Sequence, residues 1–231
     1  NINGAMNVID CCTDKKILKV VALSTDKASN PINLYGATKL ASDKLFVAGS
    51  SHLNLNKTKF SVVRYGNVMG SRGSVIPFFL KKKEEGILPI TDDRMTRFMI
   101  SLEEGVKLVW HAFEDMLGGE IYVKKIPSMN ITDIARAIAP EAKQKIIGIR
   151  PGEKLHEQMI GLEDSPHTFE YDEHFKILPA IHNWSKDPSR IKNGKPVPEN
   201  FLYSSDNNKD WMTIKQLVDW ISVNNNKIGL I

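Results

Sequence analysis

Tyr35 and Lys39 stand four residues apart, at the start of a segment whose apolar residues recur with helical spacing. On a helix, this spacing places both side chains on one face, about one turn apart. A nearby cation favours the deprotonated form of a phenol, so Tyr35 is a candidate base near neutral pH. The pair predicts hydride-transfer chemistry on an alcohol or a sugar, although an ordinary exposed tyrosine and lysine would show the same spacing.

A second polar group, residues 24–27 (Ser-Thr-Asp-Lys), comes shortly before Tyr35. A hydroxyl here, such as that of Thr25, is placed to hydrogen-bond the reacting oxygen and orient it toward Tyr35. Asp26 and Lys27 supply an acid/base pair that simple alcohol oxidation does not need. The competing interpretations are a turn cap for the hydroxyls and a weak surface ion pair for the charges.

The elements around these residues follow a strand-loop-helix order. The apolar run 17–23 is rich in β-branched residues, which predicts a strand buried on both faces of a parallel sheet. The pattern continues with a helix at 34–50, a strand at 60–65, a glycine-punctuated loop at 66–73 and a helix at 75–85. This order predicts an α/β fold with a doubly wound parallel sheet, in which ligands bind at the carboxyl ends of the strands.

After about residue 91 the predicted elements become shorter. They are helices at 102–113, 131–138 and 213–223, strands at 120–123 and 145–149, and a hairpin at 169–179, with Thr213 as the cap of the last helix. We therefore interpret residues 1–90 as the second half of a dinucleotide-binding domain that carries the catalytic helix. Residues 91–231 are interpreted as a smaller α/β substrate lobe, allowing for segments that return to the sheet.

The loop at 66–73 and a later turn carry candidate ligand contacts. Glycines let backbone amides approach a ligand closely. Asn67 can donate and accept hydrogen bonds, and Arg72 and Arg150 are candidates for bidentate phosphate contacts. Taken singly, the loop could be a plain turn and the arginines surface residues.

Composition limits the class of protein. The 231 residues are 42% apolar and 25% charged, with a net charge of +4, which is ordinary for a globular protein and too mild for a nucleic-acid binder. No apolar run approaches the roughly 20 residues that cross a bilayer, and the adjacent Cys11 and Cys12 favour a reducing compartment. We expect a cytoplasmic protein without membrane contact. The histidines do not fall at zinc-ligand spacing, so no metal is expected.

Several segments together resemble the extended short-chain dehydrogenase/reductases. Within that superfamily they are most similar to the inverting UDP-N-acetylglucosamine 4,6-dehydratases of pseudaminic acid synthesis. The segments are LSTDKA (23–28), NPINLYGATKL (30–40), RYGNVMGSRGSVIPFF (64–79), TDDRMTRF (91–98), RPGEKLHE (150–157) and SSDNN (204–208). The membrane-bound, C5-retaining relatives usually carry methionine where this chain has Tyr35, so Tyr35 favours the inverting type.

The resemblance also exposes a departure from the family pattern. The family begins with a strand, a Gly-x-x-Gly-x-x-Gly turn and a helix that hold the cofactor pyrophosphate. This chain shows no such turn, and its first residues resemble the middle of a helix. We therefore expect an N-terminally truncated chain with a Rossmann-like but incomplete sheet, whose first strands are missing. We expect it to be inactive and unstable alone.

The resemblance implies roles for individual residues. It implies a tightly bound NADP that is regenerated in each turnover, and a UDP-sugar substrate. The implied catalytic residues are Thr25, Asp26, Lys27, Tyr35 and Lys39. Cofactor contacts are implied at Leu23, Tyr35, Lys39, Val68, Met69, Gly70, Ser71 and Arg72. Substrate contacts are implied at Asn67, Val75, Thr91, Arg150, Glu153 and Asn207.

Two alternatives remain open at this point. A nucleotide-sugar 4-epimerase shares Tyr-x-x-x-Lys but does not need the Asp26–Lys27 pair. A non-catalytic nucleotide-sugar binding fragment is favoured by the missing glycine turn. From the superfamily we also expect a homo-oligomer formed through the helix that bears Tyr35.

Overall fold

The computed structural model describes residues 1–51 and 58–230. Its helices are α1 (Ile2–Asp14), α2 (Leu34–Gly49), α3 (Val75–Lys82), α4 (Leu102–Asp115), α5 (Ile131–Ile138), α6 (Pro188–Ile191) and α7 (Ile214–Asn224). Its strands are β1 (Lys19–Thr25), β2 (Lys59–Tyr65), β3 (Asn67–Val68), β4 (Ile87–Ile90), β5 (Thr96–Ile100), β6 (Ile121–Lys124), β7 (Ser128–Asn130), β8 (Lys143–Ile146), β9 (Gln158–Ile160), β10 (Thr168–Glu170), β11 (His174–Ile177), β12 (Lys195–Pro196) and β13 (Tyr203–Ser204). The strands and helices predicted from the sequence all have counterparts here, whereas the short strands β3, β4, β5, β7, β9, β12 and β13 and the helix α6 were not predicted.

Two compact units alternate along the chain. Unit one consists of Asn1–Tyr65, Glu103–Lys125 and Gln158–Tyr203. Unit two consists of Gly66–Leu102, Ile126–Glu157 and Ser204–Ile231. The interpretation of residues 1–90 and 91–231 as two functional domains stays a prediction.

Unit one is built on a mixed sheet in which β1, β2, β6, β11, β10 and β12 are successive neighbours. β1 pairs with β2, and β2 with β6, in parallel. The remaining pairs are antiparallel, and the predicted hairpin at 169–179 is confirmed as β10 and β11. The parallel part places the carboxyl ends of β1 and β2 at the same edge, as an α/β ligand site requires.

The burial predicted for β1 is wrong. Leu18, just before the strand, and Leu23 within it are 69% and 54% exposed. Among the described strands, β1 lies at the edge of the sheet. An apolar run is buried on both faces only where other elements cover both faces, and a strand at the edge lacks part of that cover.

The core of unit one lies over the central strands. Phe60, Val62 and Val63 of β2 are fully buried. Val63 and Tyr122 pack with residues of α4 in one apolar cluster. This helix therefore covers the sheet on one face and keeps β2 and β6 fixed.

Unit two has its own, methionine-rich core. It joins α3, β4, β5, α5 and α7 in one cluster, made by Met69, Ile76, Phe79, Leu88, Ile90, Met95, Met99, Met129, Ile131, Ile134, Ala135 and Leu217. The predicted cap of α7 is confirmed, because Thr213 and Gln216 form a capping box.

Candidate active site

Asp26 lies in a short 3-10 helix, Asp26–Ala28, that follows β1 directly. Its side chain is fully buried, and Oδ1 accepts hydrogen bonds from Thr25 Oγ1 at 2.8 Å and Lys27 Nζ at 3.0 Å. Among the residues that the structure describes, Oδ2 has no hydrogen-bond partner. A buried carboxylate oxygen without a partner is costly, so this atom is a natural contact for a ligand group.

Thr25 shapes the turn that carries the pair. Its backbone is extended, with φ −149° and ψ 157°, and Oγ1 accepts from the Lys27 backbone N–H at 3.4 Å. The hydroxyl thus caps the 3-10 helix and also holds Asp26. The predicted turn cap and the predicted catalytic hydroxyl are the same group.

The start of α2 supplies the second predicted pair. Asn33 Oδ1 accepts from the Gly36 N–H at 2.8 Å and caps the helix. Lys39 Nζ donates to the carbonyl of Leu23 at 2.9 Å, which ties α2 to the end of β1. Tyr35 is 53% exposed. Thr25, Asp26, Lys27, Tyr35 and Lys39 therefore all lie in unit one, at the carboxyl end of a parallel strand.

The surroundings of Tyr35 and Lys39 fit a nicotinamide cofactor. Leu23 presents an exposed apolar side chain, Tyr35 an exposed phenol, and Lys39 an ammonium group. An apolar platform with a few polar groups is what a nicotinamide ring and its ribose need.

The other predicted cofactor residues, 68–72, belong to unit two. Met69 is buried in the apolar cluster, and its N–H donates to the Ile100 carbonyl at 2.8 Å. Gly70 has φ +74°, and a Cβ there would lie 3.0 Å from the Trp220 ring. Backbone conformation and internal packing thus explain this glycine without a ligand. Val68 and Ser71 are partly buried and Arg72 is exposed, and all five assignments stay predictions.

A pocket of about 120 Å³ in unit two collects most of the predicted substrate contacts. Asn67, Val75, Thr91, Arg150 and Glu153 all line it. Among the described residues, the buried Oδ1 of Asn67 has no hydrogen-bond partner, so it is an available acceptor.

Asn207, the sixth predicted contact, is not among the residues that line this pocket. Its Oδ1 accepts from the Ser204 N–H at 3.0 Å, which shapes the local turn. Its substrate role stays a prediction.

Arg97 lines the same pocket and was missed by the sequence analysis, although it lies in the TDDRMTRF segment. Its Nη1 donates to the carbonyls of Thr96 and Leu155, and its Nη2 to the carbonyl of Lys154. Glu153 lies 3.8 Å from Nη2. Arg97 thus organises the chain segment that presents Glu153.

Three of the segments that carry the family resemblance meet in unit two through hydroxyl groups. Thr96 Oγ1 lies 2.8 Å from His156 Nδ1 and 2.6 Å from Ser205 Oγ. Ser205 Oγ also accepts from the Glu157 N–H at 2.9 Å. The segments 91–98, 150–157 and 204–208 are therefore joined into one structure, which the sequence could not show.

A buried arginine of β2 binds a side chain of α2. Arg64 is 1% exposed, and its Nη2 donates to Asp43 of α2 at 3.2 Å. Its Nη1 donates to the Met159 carbonyl at 2.7 Å and to Asp164 at 3.2 Å. The network links α2, which carries Tyr35 and Lys39, to β2 and to a later segment of unit one.

A histidine pair in unit one lies outside the predicted site. The Nε2 atoms of His111 and His174 are 3.3 Å apart, and the ring of Tyr171 stacks on that of His174 at 4.6 Å. Burial, followed by the neighbouring His111 and Lys176, lowers the pKa of His174 to about 4. The imidazole is therefore neutral in the folded protein at neutral pH.

We expect this pair to make the protein less stable in mild acid. The folded pKa of His174 is below its ordinary 6.5, so the unfolded chain binds a proton first as the pH falls. Stability is unaffected above pH 6.5 and falls from there toward pH 4, by about 1–2 kcal/mol after allowance for solvent screening. Urea unfolding of the wild type and of His174→Gln measures this.

The charges that also act on His174 are Lys176, Asp115 and Lys124. Carboxylates titrate in the same pH range, so the difference between wild type and variant isolates the histidine. If the free energy of unfolding falls by the same amount between pH 6.5 and pH 4 in both proteins, the prediction is contradicted.

Among residues 1–51 and 58–230, no helix is long and apolar enough to cross a membrane. No group of three or more His, Cys, Asp or Glu in the same ranges could hold a metal ion.

The mixed α/β sheet, with β1, β2 and β6 parallel and with Tyr35 and Lys39 on the helix after β1, defines a Rossmann-type short-chain dehydrogenase/reductase fold. Residues 1–179 match the family model described as "Polysaccharide biosynthesis protein". The chain belongs to this family.

Two relatives show the range of named activities. The "UDP-N-acetylglucosamine 4,6-dehydratase (inverting)" of Campylobacter jejuni serotype O:2 is 56% identical over 229 residues, which cover 96% of this chain and 69% of that protein. A "UDP-glucose 4-epimerase" of Rickettsia canadensis is 41% identical over 182 residues, which cover 77% of this chain and 53% of that protein. The resemblance predicted from the motifs is confirmed.

Two solved structures show the fold. Pen from Bacillus thuringiensis superposes with a TM-score of 0.86 at 32% identity, over 97% of this chain and 68% of that one. A dTDP-glucose 4,6-dehydratase from Streptomyces venezuelae, with NAD and TYD bound, has a TM-score of 0.57 at 20% identity, over 67% of this chain and 55% of that one.

Proposed function

We propose that this chain carries the acid–base groups of a UDP-N-acetylglucosamine 4,6-dehydratase that inverts C5 and gives a UDP-4-keto-6-deoxy-L-sugar. The observation that carries the proposal is the buried Asp26, bonded to Thr25 and Lys27, with one carboxylate oxygen unpartnered among the described residues. Oxidation at C4 alone does not need such a pair, whereas loss of water needs both an acid and a base. The 56% identity to the Campylobacter jejuni dehydratase supports it.

The proposed cofactor is NADP, held by Leu23, Tyr35, Lys39 and residues 68–72. When bound, it would supply reversible hydride transfer between C4 and C6 of the sugar, and it would be regenerated in each turnover. The choice of NADP over NAD rests on the family resemblance, and the Streptomyces venezuelae protein of the same fold holds NAD. Calorimetric titration with both cofactors distinguishes them.

Tyr35 acts first in this proposal. It takes the proton of the C4 hydroxyl, while Lys39, anchored on the Leu23 carbonyl, supplies a positive charge on the same helix. Thr25 hydrogen-bonds the C4 oxygen, for which its hydroxyl turns away from Asp26. The C4 carbonyl that results acidifies the proton on C5.

Lys27 and Asp26 then eliminate water. Lys27 takes the C5 proton, the C6–O bond breaks, and Asp26 protonates the departing hydroxyl. These roles need a neutral amine and a neutral acid. Transfer of the single shared proton across the 3.0 Å contact from Lys27 Nζ to Asp26 Oδ1 produces both at once.

The elimination restores the ion pair, because Lys27 ends protonated and Asp26 ends ionised. C5 receives its new proton from a water molecule on the opposite face, which gives the inversion. The hydroxide left behind is neutralised through the solvent by the proton that Tyr35 took from the C4 hydroxyl, so the phenolate is restored. The Asp26–Lys27 pair needs no external proton source between turnovers.

The substrate contacts belong to unit two. Arg150 is the cation for the diphosphate, and Asn67 offers a side-chain carbonyl oxygen that has no hydrogen-bond partner among the described residues. Thr91, Glu153 and Val75 line the same pocket. We propose that the reaction is the first step of pseudaminic acid-type sugar synthesis.

The test is an NMR assay of the purified full-length protein with UDP-N-acetylglucosamine and NADP in deuterated water. A dehydratase gives a 4-keto-6-deoxy product with deuterium at C5 and the L configuration. A 4-epimerase, which the Rickettsia canadensis relative favours, gives a C4 epimer without loss of water. Binding of UDP without turnover would indicate a non-catalytic protein.

A further inference from the structure

Gly36 lies in the first turn of α2, between Tyr35 and Lys39 in sequence, and is buried. A Cβ built on it would lie 2.4 Å from the backbone carbonyl oxygen of Lys27 and 2.9 Å from the Cβ of Pro31. Real Cβ atoms essentially never come closer than 3.0 Å to another heavy atom. The backbone of Lys27 therefore packs directly on the bare α-carbon of the glycine.

The backbone conformation of Gly36 does not require glycine. It lies in a regular helix, and its φ is not among the positive values found at other glycines of the chain. Close approach is therefore the reason for glycine at this position.

Both sides of this contact are held firmly. Asp26 and Ala28, which flank Lys27, are fully buried. On the helix side, the Gly36 N–H donates to Asn33, and Lys39 donates to the Leu23 carbonyl. A side chain at position 36 cannot be accommodated by a flexible neighbour, because the nearest atom belongs to the backbone.

We propose that Gly36 is a positioning residue that sets the separation between the Asp26–Lys27 pair and the Tyr35–Lys39 pair. This inference rests on the proposed function. Alanine at position 36 must push the two segments apart by at least 0.6 Å, the difference between 3.0 and 2.4 Å. Misplacement of catalytic groups by about 1 Å can lower a rate by roughly 10²-fold.

Gly49, near the end of the same helix, offers a matched control. A Cβ there would lie 3.4 Å from Ile9 and Phe60, which is ordinary contact. Helix propensity alone predicts that alanine stabilises both positions by about 1 kcal/mol. Only the close contact with Lys27 predicts opposite outcomes for Gly36→Ala and Gly49→Ala.

The experiment compares these two variants in the full-length protein by hydrogen exchange and by kinetics. For Gly36→Ala we expect faster amide exchange in the peptide that covers residues 26–31. We also expect at least a tenfold fall in kcat, with the KM for UDP-N-acetylglucosamine changed less than twofold. Gly49→Ala should match the wild type in all three. Unchanged exchange at 26–31, or an unchanged kcat, overturns the proposal.

Asn33→Ala serves if Gly36→Ala does not fold. It removes the cap that accepts from the Gly36 N–H, a change that costs about 1 kcal/mol. We expect a smaller change in the same direction in both exchange and kcat. Wild-type exchange at 26–31 in this variant overturns the proposal.

The exchange measurement needs no turnover. If the wild type does not dehydrate UDP-N-acetylglucosamine, the proposed function fails, and the exchange result still decides whether Gly36 holds the Lys27 segment in place.

Discussion

Replacing Lys27 by methionine is expected to lower kcat for dehydration by about 10³-fold, within the range typical for loss of a positioned general base. The substitution removes the amine that takes the C5 proton in the proposed mechanism, while Tyr35, Lys39 and Thr25 remain for the proposed chemistry at C4. Deuterium incorporation at C5 should fall with kcat. The measurement is the NMR assay in deuterated water.

Two further variants separate the role of Lys27 as a base from a role of its charge. Lys27→Arg keeps the positive charge, but a guanidinium does not give up its proton, so we expect it to be as inactive as the methionine variant. Lys15→Met removes an exposed lysine of the same unit and should leave activity unchanged. Wild-type C5 exchange in Lys27→Met, or activity in Lys27→Arg, would show that another group is the base.

Replacing Arg64 by methionine is expected to destabilise the protein by about 3–5 kcal/mol, the usual consequence of breaking a buried ion pair. Arg64 is 1% exposed, and it neutralises Asp43 and Asp164 from 3.2 Å each. Its loss leaves the buried Asp43 without its cation on the helix that carries Tyr35 and Lys39. The free energy of unfolding in urea measures the effect.

Lys44→Met provides the control for Arg64. Lys44 also faces Asp164, but at 3.9 Å and with its side chain 61% exposed. Exposed pairs contribute about 0–1 kcal/mol, so this variant should remain close to the wild type. Equal losses in the two variants would mean that burial does not determine the strength of the network.

The sequence predicted those helices, strands and caps that depend on neighbouring residues in the chain. The helix that bears Tyr35 was found from its apolar spacing, and the cap at Thr213 from residue type and position. The sequence also predicted a site at the carboxyl end of β1, because the order of strands and helices follows from the apolar pattern; the role of this site stays a prediction. Burial of β1 was predicted wrongly, because it depends on which elements lie beside the strand.

Contacts between segments that are distant in the sequence could not be predicted. Arg64 meets Asp43 and Asp164, which are 21 and 100 residues away, and no local pattern announces either contact. Arg97 was overlooked for the same reason, since its partners lie in the segment 153–157. Of the six predicted substrate residues, the five that line one pocket come from motifs carried over together, and their binding role stays a prediction.

The alternation of the two units along the chain has a consequence for folding during synthesis. When residue 125 leaves the ribosome, β1, β2 and β6 have been synthesised. The strand that pairs with the other edge of β6 is β11, which begins only at His174. Asp164, a partner of the Arg64 guanidinium, is also still to be made. The nascent chain must therefore carry an open sheet edge and an incompletely paired charge for tens of residues. We therefore expect the chain to be most prone to aggregation, and a chaperone to be most useful, during this interval of synthesis.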